Sequence, residues 1–213
     1  QYDYDGQTYT FTPSLKDITV TGTTFTGGYI GLELRETNNV TITDNVFNVG
    51  DRNILLASNS GCTYSGKVTI TGNVSNNAKE RFVRMSGAGD AVVVIKDNYI
   101  YNYQGADADY IKVTDGSNVT IENNVLMVTS AVDLQSRVNS AAKGLNEFGF
   151  ANDITGNVTI PQNDKINIVI NGLGKKYDGT ITVNGNQRSG GSETLVIKNI
   201  NFEHSGSNLY FVE

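Results

Sequence analysis

With 213 residues the chain is long enough for one well-cored domain and does not require a second. Twenty-three glycines against two prolines, with abundant Asn, Thr, Val and Ile, favour strands and tight turns over helices. A net charge of −6 argues against a phosphate-binding nucleic-acid protein, and a single cysteine, Cys62, excludes an internal disulfide and a thiolate metal cluster. No run approaches the roughly 18 to 20 apolar residues of a membrane span, and the first residues do not read as a signal peptide, as expected of a mature or trimmed form.

In chain order, a polar, tyrosine-rich stretch (Tyr2 to Ser14) precedes a repeat. Each repeat is a short β-branched strand followed by a turn, which carries Asn in all but the first: Ile18–Phe25, Val40–Phe47, Val68–Ser75, Val93–Ile100 and Val119–Leu126, with a sixth member at Leu195–Phe202. The first five begin 22, 28, 25 and 26 residues apart, a period that marks a solenoid, and the strand content makes it a β-solenoid. Between them lies a second apolar set: Ile30, Leu32 and Leu34, then Ile54 and Leu56, Ile111 and Val113, and finally Leu209 and Phe211. Each coil therefore carries at least two strands, paired in parallel with their equivalents about 4.8 Å away along the axis. Asn45, Asn73, Asn98 and Asn124 share one repeat position, where Asn tolerates the left-handed backbone of a bend and its amide can hydrogen-bond along the stack.

Ser130–Lys143 alone reads as a helix. Ala131, Leu134, Val138, Ala141 and Ala142 recur at spacings of three and four, and Ser130 with Asp133 makes a capping-box-like start. A lone amphipathic helix among strands is expected to cover apolar rungs and unpaired strand edges. Strands resume after it, at Asp153–Pro161 and Ile166–Gly172, and Ser207–Phe211 alternates as a final strand.

The Val-Thr-Ile-x-x-Asn repeats resemble the right-handed parallel β-helix of the pectin-lyase-like superfamily. Residues 133–142 followed by 153–161 and 166–172 are similar to the capped beginning of non-catalytic β-helix domains in secreted or cell-surface proteins of anaerobic bacteria. In such relatives the helix comes first. Here the order is regular only if residues 130–213 are placed before residues 1–126, as in a circular permutation or a segment cut out of register from a tandem array. Seven coils at about 4.8 Å each stand roughly 30 Å tall, whereas Met127–Thr129 and a neighbour or two span about 10 to 17 Å. The junction is too short to return to a cap at the far end, so exchange between chains is expected, giving a swapped dimer or an end-to-end fibre.

Residues suited to chemistry are scattered. If the chain were a lyase or hydrolase, Arg84, Asp97, Asp109 and Lys112 would carry it, with calcium implied only under that reading; Arg81 to Arg84 lacks the proline pattern of the superfamily's lyases. Single His204 fits neither a zinc site nor a catalytic triad. Two tyrosine-acid stretches, with Tyr2, Tyr4 and Tyr9 in one and Tyr99, Tyr101, Tyr103, Asp107 and Tyr110 in the other, combine aromatic faces with carboxylates and suit sugar stacking.

The expectation is thus an all-β chain: one right-handed parallel β-helix of about seven coils over residues 1–213, with residues 1–126 as later coils and 130–213 as the cap and first coils. The expected function is a non-catalytic structural or adhesive module, secreted or on a bacterial cell surface, with no cofactor or metal. Its expected partner is a second copy of itself, with a polysaccharide as a further ligand. A polysaccharide lyase or glycoside hydrolase and an engineered permuted scaffold are the alternatives.

Overall fold

The computed structural model describes residues 2–4, 7–9, 15–58, 62–105, 110–141, 144–161, 166–184, 194–203 and 208–212, with backbone alone at 2–4, 7–9, 144, 145, 166 and 208–212. It is a stacked-coil parallel β-solenoid of about six turns with one helix, one turn fewer than the repeats imply. The chain divides into two compact units, Gln1–Gly105 with Asp109–Asn124, and Val125–Glu213.

The first unit opens with an antiparallel hairpin, β1 (Tyr2–Tyr4) and β2 (Gln7–Tyr9), which sets Tyr2 opposite Tyr9. Its coils then each contribute three strands. These are β3 (Lys16–Thr21), β4 (Thr24–Thr26) and β5 (Ile30–Arg35); β6 (Asn38–Thr43), β7 (Val46–Asn48) and β8 (Arg52–Ala57); β9 (Ser65–Thr71), β10 (Val74–Asn76) and β11 (Arg81–Met85); and β12 (Gly89–Lys96), β13 (Tyr99–Tyr101) and β14 (Ile111–Val113). A last strand, β15 (Gly116–Glu122), ends the unit. Like strands stack in chain order: β3-β6-β9-β12-β15 form one parallel sheet, β4-β7-β10-β13 a second and β5-β8-β11-β14 a third.

The strand register explains why the repeat is legible. Ile18, Val40, Val68, Val93 and Val119 are successive partners, and so are Val20, Ile42, Ile70, Ile95 and Ile121. In the middle of the stack these columns are fully buried. Each such side chain stabilises the fold by about 1.5 to 3 kcal/mol. Phe25 stacks on Phe47 with ring centroids 4.8 Å apart and planes 3° from parallel. The bend that follows each strand of the first sheet needs a left-handed residue, supplied by Gly22, Asp44, Gly72, Asp97 and Asn123. These are residue types that accept positive φ, and a Cβ on Gly72 would run into Asp44 Oδ1.

The second unit begins with β16 (Val125–Val128), then α1 (Ala131–Asn139), then β17 (Gly144–Phe150), β18 (Ile154–Thr155) and β19 (Val158–Ile160). Two further coils supply β20 (Ile166–Asn171), β21 (Lys176–Asp178) and β22 (Thr180–Asn184), then β23 (Leu195–Lys198), β24 (Asn201–Phe202) and β25 (Asn208–Val212). Again like strands stack in chain order, as β16-β17-β20-β23, β18-β21-β24 and β19-β22-β25.

The helix is shorter than residues 130–143 and ends at Asn139, with Ser140 as C-cap. Ala141 lies beyond it, half-buried, while Ala142 and Lys143 fall outside the described residues. Its start is as the sequence implies: Ser130 Oγ accepts from the Asp133 N–H at 3.1 Å, and Asp133 reaches back to accept from the Thr129 N–H at 3.1 Å. Ala131, Leu134 and Val138 are buried, and α1 packs on β19 and β16.

Candidate functional site

The best-ordered polar feature is the asparagine ladder of the first unit. Asn45 Nδ2 donates to Asn73 Oδ1 at 3.0 Å, Asn73 to Asn98 at 3.0 Å, and Asn98 to Asn124 at 2.7 Å. Each of these oxygens also accepts the backbone N–H of the preceding Asn, and each Nδ2 of Asn73, Asn98 and Asn124 bonds a strand carbonyl of the neighbouring coil, from Ile42, Ile70 and Ile95. All four side chains are buried and their hydrogen bonds are spent on one another and on the bend, so the row holds the fold and offers nothing to a ligand. A shorter counterpart in the second unit, Asn199 Nδ2 to Asn171 Oδ1 at 3.1 Å, was readable from Ile168–Asn171 and Val196–Asn199 but not from the main repeat.

The residues proposed for catalysis do not converge. Arg84 and Lys112 are direct register partners on β11 and β14, in a row with Glu33 and Leu55. Asp97 lies elsewhere, at the left-handed bend after β12, where Lys96 pairs with it at 3.5 Å. Asp109 lies outside the described residues, as do Asp107 and His204.

What gathers around Arg84 instead is an ion-pair network. Arg52 and Arg81 are register partners on adjacent coils, an arrangement that needs an anion. Glu80 provides it, accepting from Arg52 Nε at 2.6 Å and from Arg84 Nη1 at 3.2 Å. The Arg52 hydrogen bond holds the Glu80 carboxyl below the usual carboxylate range, and Glu80 in turn raises the Arg52 guanidinium. Arg52 lies 5.9 Å over the exposed Tyr29 ring, whose hydroxyl is pushed up by its bond to Asp51. Glu80 thus bridges Arg52 and Arg84, while Asp51 Oδ2 and Arg81 Nε are buried without a hydrogen bond; Glu80 is not singled out by the repeat, although Lys79, Glu80 and Arg81 are a visible charge run.

The tyrosines divide. Tyr103 is 2% exposed, donates to the Glu80 carbonyl at 2.9 Å and meets Tyr110 edge-on at 6.0 Å, so it is a packing residue and presents no face to a sugar. Tyr110 donates to the Asn124 carbonyl at 2.9 Å. Tyr99 is exposed and Tyr101 half-buried, two positions apart on β13. Tyr2, Tyr4 and Tyr9 lie on the opening hairpin, where the backbone alone is described.

One depression of about 320 Å³ is lined by Asp153, Ile154, Thr155, Lys176, Asp178 and Glu203 of the second unit. Its lysine is engaged by Glu203 at 2.7 Å, which raises the Lys176 ammonium, and Asp153 Oδ1 accepts the Lys176 N–H at 2.9 Å. Beside it, Tyr177 donates to the Gly156 carbonyl at 2.7 Å, and burial pushes its hydroxyl up to about 12. Among the described residues no group of three or more His, Cys, Asp or Glu side chains is placed to hold a metal ion, and no helix is long and apolar enough to cross a membrane.

The terminal coils have a different chemistry. At β15 every residue is exposed, including Val119 and Ile121, the ends of two columns that are buried from β6 to β12. At the other end of that sheet β3 is largely exposed, and in the second unit Val196 on β23 and Phe202 on β24 are exposed. Only β19, under the helix, is an edge strand with a buried apolar pair among the described residues. No family model, curated protein or solved structure matches the chain.

Proposed function

We propose that the chain is a non-catalytic structural or adhesive module, a right-handed β-helix of the pectin-lyase-like kind from a secreted or cell-surface bacterial protein, that self-associates through its ends. The supporting observation is a pair of coils, β3-β4-β5 in the first unit and β23-β24-β25 in the second, whose strands each have one edge without a partner among the described residues. Such edges recruit further strands. Joining the last coil of one copy to the first coil of another also gives the repeat order expected of a permuted or register-shifted solenoid, with residues 130–213 of one chain completing the stack begun by another's Lys16. Right-handed crossing fits the strong preference of parallel β connections. Light scattering across a concentration series, with negative-stain microscopy of the largest species, tests this: the mass rises above the monomer and the particles lengthen along one axis.

A second reading, a polysaccharide lyase or glycoside hydrolase, draws on one observation, the register pairing of Arg84 with Lys112, two cations one coil apart on the same row. Release of reducing ends or unsaturated products from a panel of acidic and neutral glycans, with and without calcium, would establish it. Silence across the panel leaves the structural reading.

A further inference from the structure

The second sheet of the first unit has an outer face without charge. Phe47, Ser75 and Ile100 point from β7, β10 and β13 into the core and are fully buried, so the residues on either side of each point outward. Register sets Thr26, Asn48, Asn76 and Tyr101 in one outward row, with Val46, Val74 and Tyr99 in the row beside it. The two rows hold no Asp, Glu, Lys or Arg, whereas the outward row of the third sheet holds Glu33, Arg84 and Lys112, and one of the first sheet ends in Lys96 and Glu122. Asn76 Nδ2 donates to Asn48 Oδ1 at 2.8 Å, a surface counterpart of the buried ladder. Unlike that ladder it is open: the Asn48 amino group, the Asn76 carbonyl and the Tyr99 and Tyr101 hydroxyls have no partner among the described residues. The two rings stand about 6.5 Å apart along one strand, and Tyr99 is 37% exposed.

We propose that this face binds an uncharged polysaccharide chain, laid along the row from the tyrosines onto the amides. A sugar ring has an apolar C–H face and a rim of hydroxyls that both donate and accept. The C–H face stacks on Tyr99 or Tyr101. The hydroxyl rim meets a free amide donor on Asn48 and a free amide acceptor on Asn76, one coil or about 4.8 Å apart. With no cation in either row an acidic chain finds no counter-charge here, while a neutral chain binds without stripping water from an ion. The inference gives the adhesive part of the proposed function its ligand class. It does not rest on self-association, because the rows lie on the side of the coils and not at their ends.

Native electrophoresis of the full chain through gels containing hydroxyethylcellulose, galactomannan or polygalacturonate tests it. A neutral polymer is expected to retard the wild type and polygalacturonate is not. Replacing both rings, Y99A with Y101A, should weaken the retardation about fivefold, while Y99F with Y101F keeps it. N76A removes one amide, leaves both rings in place and should weaken it about threefold, which reads the site independently of how the alanine pair folds. R84A, on the third sheet, should migrate as the wild type does. Retardation by neither neutral polymer would overturn the proposal, and so would unchanged retardation of the Y99A and Y101A chain or of N76A with circular dichroism retained. Retardation by polygalacturonate alone, abolished in R84A, would also overturn it and move binding to the charged row. Sedimentation of the same preparations reports self-association separately, so either idea can fail without the other.

Discussion

β15 and β19 are both edge strands of parallel sheets, and both carry an alternating Val and Ile whose register partners are apolar: Val93 and Ile95 for β15, Ile181 and Val183 for β19. On β15 these residues, Val119 and Ile121, are 36% and 46% exposed; on β19 they are Val158 and Ile160, at 1% and 4%. The sequences differ little, Asn118–Ile121 reading Asn-Val-Thr-Ile and Asn157–Ile160 reading Asn-Val-Thr-Ile as well. What differs is the neighbour: β19 has a helix whose Leu134 and Val138 cover its side chains and whose Gln135 satisfies its backbone, and β15 has none described. Burial in a solenoid is therefore set by the next coil rather than by the residue, and a tetrapeptide identical in both places is core in one and surface in the other.

The largest effect that breaks this comparison is removal of the cap. Leu134→Ala empties a fully buried site and is expected to destabilise the second unit by about 2 to 5 kcal/mol in urea unfolding. The contrast sharpens within one column: Ile95→Ala, fully buried on β12, should cost about 2 to 5 kcal/mol, and Ile121→Ala, two-fifths exposed or more on β15, under about 1. Equal losses at the two positions would mean that β15 is covered after all. Ser130→Ala deletes the oxygen that accepts the Asp133 N–H and should lower stability by about 1 kcal/mol, with the loss read in the same melts.

The smallest effect concerns acid. Glu80 has a folded-state pKa below its ordinary value of 4.5, so its contribution is fully present above pH 4.5 and is lost as pH falls through the lowered value. With the side chain about a third exposed, the change is at most about 1 kcal/mol. Glu80→Gln should flatten this part of the stability profile below pH 4.5 and leave the Val158 and Val119 regions untouched, which thermal melts at stepped pH would show.

Much of the fold is legible because a solenoid repeats its rule. In the first unit the β-branched strands and the left-handed position filled only by Gly, Asp or Asn recur in each coil, and the buried Asn after it in every coil but the first, where Thr23 stands, so the ladder from Asn45 to Asn124 and the columns from Ile18 to Ile121 follow from spacing. The cap start at Ser130 and Asp133 is equally local. The helix C-terminus was overrun by a turn because Ala141 and Ala142 continue the apolar spacing, whereas Ser140 closes the helix through its hydroxyl to the Ser136 carbonyl at 2.9 Å. Long-range pairings were not legible: nothing in the sequence sets Glu80 between Arg52 and Arg84 across 28 residues, Tyr103 beneath the Glu80 carbonyl, or Gln135 against Thr159. Nor does periodicity tell a terminal coil from an internal one, which is why the exposed ends at β15 and β23 emerge only in three dimensions.

The open ends carry the functional account, and solution mass tests it most directly. Sedimentation of the purified chain over a hundredfold range of concentration should show a mass that climbs beyond the monomer, with species that lengthen rather than thicken. A single monomeric species throughout that range would contradict self-association through the terminal coils.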